Sequence, residues 1–164
     1  MKLGVIGEPC IDYIHRRGTS HEKQFGGILY SVVSLAVISD GQADVYPVMN
    51  LGEDEYENVT AFLNRFRNIK TDFIYKSHHK TRVVNLYYKE SASVISTSEK
   101  KTYDREESST EPTLPVEFSQ AKETLGWLGG ILINMVSGTD IKLDVFKKIR
   151  EILINTSIWI CIIL

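Results

Sequence analysis

The chain has 164 residues, of which 43% are hydrophobic and 24% charged, proportions that suit a globular protein with one core. Its 19 basic and 21 acidic side chains leave a formal charge of -2, which excludes the broad basic footprint of a nucleic-acid binder or of a protein held on an anionic membrane. Cys10 and Cys161 sit far apart with no C-x-x-C pair, so neither a zinc site nor a disulfide framework is expected, and a reducing cytoplasmic setting fits.

The first residues run directly into Leu3–Gly7, an apolar stretch soon interrupted by Glu8 and Asp12, so no targeting signal is expected. This run predicts a buried strand closed by glycine, continued after Pro9 by Cys10-Ile11-Asp12-Tyr13-Ile14. Arg16-Arg17-Gly18-Thr19-Ser20 has turn chemistry and leads to Phe25-Gly26-Gly27, so a hairpin is predicted, followed by an apolar helix over Ile28–Ser39. A strand over Ala43–Leu51 and a helix from Gly52 to about Phe66 come next, the helix with acidic residues in its first turn.

Asp72–Lys76 and Arg82–Lys89 alternate apolar and polar residues, as strands with one wet face do. The run from Glu99 to Pro115 is rich in Ser, Thr, Glu and Lys and reads as a mobile solvated loop. A helix to about Leu125, a strand over Gly130–Met135, a helix over Asp140–Leu153 and a buried strand over Ser157–Leu164 complete the pattern. The apolar tail is too short to span a bilayer, which needs about 20 such residues. A chain ending inside a buried strand reads as truncated. The whole predicts an α/β fold with a mainly parallel sheet flanked by helices, and a small antiparallel sheet beside it.

Three constellations can carry chemistry. In Gly7-x-x-x-x-Asp12 a carboxylate emerges just beyond a buried strand, at the edge where open α/β sheets bind ligands, and could accept two sugar hydroxyls; an aspartate there also serves in turns and caps. Phe25-Gly26-Gly27 before a helix lets backbone N–H groups approach a small ligand, or simply provides a flexible helix entry. In Asn50-Leu51-Gly52-Glu53-Asp54-Glu55-Tyr56, Asp54 is expected to cap the following helix. His15, His21, His78 and His79 are expected to be solvated, and Glu106-Glu107 is expected to be charged surface.

The order and spacing of these three motifs, with the strand pair after them, resemble the N-terminal portion of the ribokinase-like (pfkB-type) carbohydrate kinases. The resemblance implies a single incomplete ribokinase-like domain over residues 1–164, with lid strands near 11–25 and 72–90 and the polar loop near 99–115. It implies that Asp12, Gly26, Gly27, Ser31 and Asn134 face a sugar or nucleoside, that Gly52 and Asp54 form a nearby turn, and that Thr81 and Arg82 open a lid strand. Ser31 stands where many members carry asparagine, so a shorter hydroxyl replaces that contact.

The family's catalytic Gly-x-Gly-Asp is absent, and Ser137-Gly138-Thr139-Asp140 does not replace it: the second glycine is missing, the position falls too early, and Asp140 reads as a structural N-cap. No cofactor is therefore expected for this chain alone, whereas complete members imply ATP and Mg2+. The reading that follows is an inactive N-terminal fragment of a sugar kinase. Alternatives are a non-catalytic sugar-binding or interaction module, and one half of a split kinase awaiting a complementing C-terminal half. A homodimer through the β lid is a further expectation, based on Val84, Leu86 and Tyr88 as exposed apolar residues.

Overall fold

The structure, a computed structural model, describes residues 1–16, 22–89, 104–135, 140–154 and 158–163. The chain alternates between two sheets. Strands β1 (Lys2–Gly7), β4 (Asp44–Gly52), β5 (Ile74–Ser77), β8 (Gly130–Asn134) and β9 (Trp159–Ile163) form a five-stranded sheet in the order β5-β4-β1-β8-β9. All four of its pairings are parallel.

Helices α1 (Ile28–Ser39), α2 (Tyr56–Leu63), α3 (Phe118–Leu125) and α4 (Leu143–Ile154) cover this sheet on its two faces. The period-2 geometry of a strand assigns each residue to a layer. Val5 packs with Leu29, Val32, Val59 and Leu63 of α1 and α2, whereas its neighbour Ile6 packs with Ala121, Leu125, Val145 and Ile149 of α3 and α4. Double-sided burial explains why the central strands read as continuous apolar runs rather than alternating ones.

α1 is rich in β-branched Val and Ile, which favour helix only weakly, so its helicity rests on burial of Ile28, Leu29, Val32 and Ala36. It ends at Asp40 and Gly41, both in the left-handed region with φ of 32° and 77°.

The second sheet contains β2 (Pro9–Arg16), β3 (Glu22–Gly27), β6 (Arg82–Lys89) and β7 (Asp104–Ser109), in the order β3-β2-β6-β7. Its outer pairings are antiparallel and its central β2–β6 pairing is parallel. β2 follows β1 after the single residue Glu8, so the chain passes from one sheet to the other at that residue.

Several expectations are corrected here. Ile74–Ser77, expected in the lid, pairs with β4 in the main sheet, where Ile74 stands opposite Met49 and joins the same buried core. Residues 104–109 of the expected polar loop form β7, since a polar strand needs only backbone pairing with β6. Downstream, Asn50 Nδ2 donates to the Leu114 and Pro115 carbonyls (both 3.0 Å), tying this segment to the end of β4. Residues 99–103 lie outside the described residues. β9 is not buried: Trp159 is 82% exposed at the open edge of the main sheet. Val84 and Leu86 are buried against Cys10 and Ile14, with Tyr88 packed on them, because all of them share one face of the small sheet.

Among the described residues no helix is long and apolar enough to cross a membrane.

Candidate functional site

Gly7, at the end of β1, is the last residue of the main sheet before the chain crosses into β2. Three residues into β2, Asp12 is 9% exposed. Cys10, two positions earlier and so on the same side of the strand, donates its thiol proton to Asp12 Oδ1 at 3.2 Å. Burial first, then the Asp12 charge and that hydrogen bond, push the Cys10 thiol well above its ordinary range, so it is a stable donor rather than a nucleophile.

The opposite wall is Gly26. A Cβ at this position would overlap the Asp12 carboxyl group, so only glycine lets the β3 backbone lie against that acid. Gly27 has φ of 60°, and a side chain there would also meet the Glu8 carbonyl, the group that accepts the first helical N–H of α1, from Ile28 (3.0 Å). The Gly-Gly pair thus seats the start of α1 against the crossing between the two sheets.

One turn into α1, Ser31 Oγ accepts a hydrogen bond from Asn134 Nδ2 at 3.0 Å. Asn134 ends β8, next to Gly7 in the β1–β8 register. The expected site residues therefore form two groups, Asp12 with Gly26 and Ser31 with Asn134, on either side of the Gly27 helix start. Tyr30 joins the first group: its hydroxyl donates to Gln24 Oε1 (3.1 Å), Gln24 stands opposite Asp12 in the β2–β3 ladder, and burial followed by the Asp12 charge raises the phenol above its ordinary range.

Asp54 does not cap α2, whose N-cap residue is Glu55. Its Oδ1 accepts the Thr81 N–H (2.9 Å) and Oγ1–H (3.1 Å), and Thr81 Oγ1 in turn accepts the Gly52 N–H (3.1 Å). The turn after β4 is thereby fastened to the residue preceding β6. Asp140 is likewise no N-cap, since α4 begins at Leu143; it is 1% exposed and helps to raise the pKa of the Glu8 carboxyl group. Residues 136–139, with the Ser137-Gly138-Thr139 comparison, lie outside the described residues. His15 is not simply solvated: its Nε2 meets Asn85 Oδ1 at 2.9 Å and its ring stacks on Tyr87. His78 is fully exposed, as expected, and His21 lies outside the described residues.

The sequence reading gave no role to the Glu8 side chain. It is 5% exposed, and its Oε2 pairs with Arg82 Nη1 at 3.1 Å while its Oε1 accepts the Thr113 N–H at 2.5 Å. Burial, then the hydrogen bond and charge of Asp140, raise this carboxyl group to about 7 against the opposing pull of Arg82. The available signal was a lone carboxylate between Gly7 and Pro9 within an otherwise apolar run.

A cavity of about 590 Å³ opens along the edge of β3, lined by residues that include Phe25, Leu29, Tyr30, Val33 and Phe62. Its lining also includes Lys23, Gln24, Ser34 and Asn58, and through Gln24 and Tyr30 it adjoins the surroundings of Asp12. Among the described residues no cluster of His, Cys, Asp and Glu could hold a metal ion.

No family model and no curated protein matches this chain. Solved structures do. An uncharacterized sugar kinase from Pyrococcus horikoshii superposes with a TM-score of 0.70 at 14% identity, over 99% of this chain and 52% of its own. The 2-dehydro-3-deoxygluconokinase of Thermotoga maritima gives 0.68 at 14% identity, over 99% and 50%, and the fructokinase of Halothermothrix orenii 0.68 at 16%, over 99% and 56%. The chain therefore has the ribokinase-like fold of the pfkB-type sugar kinases, and spans about half the length of the structures it matches.

Proposed function

We propose that this chain is the N-terminal, sugar-binding portion of a pfkB-type carbohydrate kinase and holds the acceptor hydroxyls of a sugar or nucleoside. The observation carrying this reading is the Asp12 carboxylate, fixed between the Cys10 thiol and the bare Gly26 backbone on β2, just past the crossing from the main sheet into the small one. A carboxylate is an acceptor-only group, suited to two adjacent hydroxyls, and Gly27 and the α1 N-terminus offer backbone donors close by. Asn134 brings to Ser31 the carboxamide that many family members carry on the helix itself. The small sheet serves as the lid.

In a complete kinase of this type ATP supplies the phosphoryl group and Mg2+ offsets its charge. No phosphate cradle occurs in this sequence, so this portion binds and orients the sugar without transferring phosphate. The split-kinase alternative has one observation in its favour: β9 presents an open parallel edge with Trp159 and Ile162 exposed, where a further segment could extend the sheet.

The test is an amide NMR titration with D-fructose, 2-dehydro-3-deoxy-D-gluconate, myo-inositol and adenosine. Saturable shifts at Gly26 and Gly27, lost in Asp12→Ala, are expected with at least one of them. Shifts confined to the β3-edge cavity, or none with any of the four, would overturn the assignment.

A further inference from the structure

The cavity of about 590 Å³ beside β3 is not used by the Asp12 carboxylate, yet the two share a border. Its walls are apolar and partly aromatic: Leu29 and Val33 come from α1, Phe25 from β3 and Phe62 from α2, with the two phenyl rings 4.9 Å apart at 48°. Uncharged polar side chains stand among them, the carboxamides of Gln24 and Asn58 and the hydroxyls of Tyr30 and Ser34. Lys23, the charged member of the lining, is held by Glu55 at 2.5 Å, and Asn58 Nδ2 donates to the same carboxylate at 3.1 Å.

This lining discriminates between ligand classes. An anion finds Lys23 already neutralised by Glu55. A free sugar, hydroxylated on all sides, would leave hydroxyls unpaired against Phe25, Leu29, Val33 and Phe62. An alkyl chain would strip water from the carboxamides without replacing its hydrogen bonds. A flat heteroaromatic ring meets both demands, with apolar faces for the phenyl rings and an edge of donors and acceptors for Gln24 and Asn58. The size is that of a ligand pocket, about 300–1,000 Å³.

Two residues connect this cavity with Asp12. Gln24 lines it and is the partner of Asp12 in the β2–β3 ladder, where directly opposed side chains share a face with Cβ atoms about 4.5–5.5 Å apart. Tyr30 lines it too, and its hydroxyl donates to Gln24 Oε1 at 3.1 Å. β3 is the outermost strand of its sheet, so no further strand separates the Asp12 side from the Phe25 side at that edge. We infer that the cavity receives the heteroaromatic ring of the same ligand whose hydroxyls Asp12 accepts, so that the substrate is a nucleoside, with Gln24 and Tyr30 lining the passage between its two parts.

This inference rests on the Asp12 reading, and the test separates the two. D-ribose, adenine and adenosine are titrated into the wild type, Asp12→Ala and Ser34→Trp, and amide shifts are followed at Gly26 and Gly27 and, for the cavity, at Val33 and Phe62. Adenosine is expected to shift both sets and to bind at least about tenfold tighter than D-ribose, whereas adenine shifts the cavity set alone. Ser34 is exposed on α1 and lines the cavity, so Ser34→Trp keeps the fold, covers the cavity and is expected to bring adenosine down to the affinity of D-ribose. Adenosine binding no tighter than D-ribose, silent cavity amides, or tight adenosine binding that survives Ser34→Trp overturns the inference; D-ribose shifts lost in Asp12→Ala would then keep the sugar reading. Cavity shifts from adenosine that Asp12→Ala leaves unchanged overturn the sugar reading, and the shared site with it.

Discussion

The two sheets are built on different chemistry. The five-stranded sheet is held by aliphatic packing on both faces, with Val5, Ile6, Met49, Leu51 and Ile133 almost completely excluded from solvent. The four-stranded sheet has a small cluster of four buried residues, Cys10, Ile14, Val84 and Leu86, and is fastened to the rest through polar groups at its base, namely Asp54 with Thr81, and Glu8 with Arg82 and Thr113. Apolar burial is nearly insensitive to protonation, whereas charge-assisted anchors depend on it directly. The main sheet is thus a frame resting on apolar burial, and the small sheet adds polar fastenings at its base to the packing of Phe25 against the α1/α2 core.

The largest expected effect breaks the frame. Ile6→Ala removes a fully buried side chain between β1 and the α3/α4 layer and is expected to cost about 3–4 kcal/mol in urea denaturation, with little change in slope. Gly26→Val acts on the other side of the comparison: its Cβ displaces the Asp12 carboxyl group, with about 1–3 kcal/mol of overpacking and complete loss of the sugar-induced shifts. Thr81→Val cuts the polar fastening to Asp54 and Gly52, and a loss of about 1–2 kcal/mol is expected by the same denaturation assay.

Acid–base behaviour sharpens the contrast. Glu8 is raised from 4.5 to about 7 on folding, so its proton stabilises the native state fully below about pH 4.5, and that contribution is lost as pH rises toward 7. Wild-type stability measured relative to Glu8→Gln is expected to fall across that window and level off above it. The smallest effect belongs to the surface pair of Lys23 and Glu55 at 2.5 Å, where Lys23→Ala is expected to change stability by less than about 1 kcal/mol, and less again in high salt.

Much of the frame was legible because its signals are local. A glycine-closed apolar run gave β1, and the apolar stretch after Gly27 gave α1 with both of its ends. Of the candidate site, the nearness of Asp12 to Gly26 was legible, because the two lie on paired strands of one hairpin. What sequence could not supply was contact between distant segments. The Glu8 bond to Thr113 spans 105 residues and the Asp54 bond to Thr81 spans 27, and no spacing rule links such positions. β7 escaped notice because Asp104-Arg105-Glu106-Glu107-Ser108-Ser109 is polar throughout, and only its ladder with β6 makes it a strand. The shape of β9 as an exposed edge was hidden for the opposite reason: Trp159-Ile160-Cys161-Ile162-Ile163 has the composition of a buried strand, and topology alone places it at the margin.

The central claim is that β2 and β3 of the small sheet present Asp12 to the hydroxyls of a sugar. Isothermal titration of the four candidate ligands into the wild-type chain and into Asp12→Ala and Gly26→Val tests it most directly. The account predicts a single-site isotherm for at least one ligand with the wild type and at least a tenfold weaker one with either variant. Equal affinity in all three proteins, or no binding by the wild type, would contradict it.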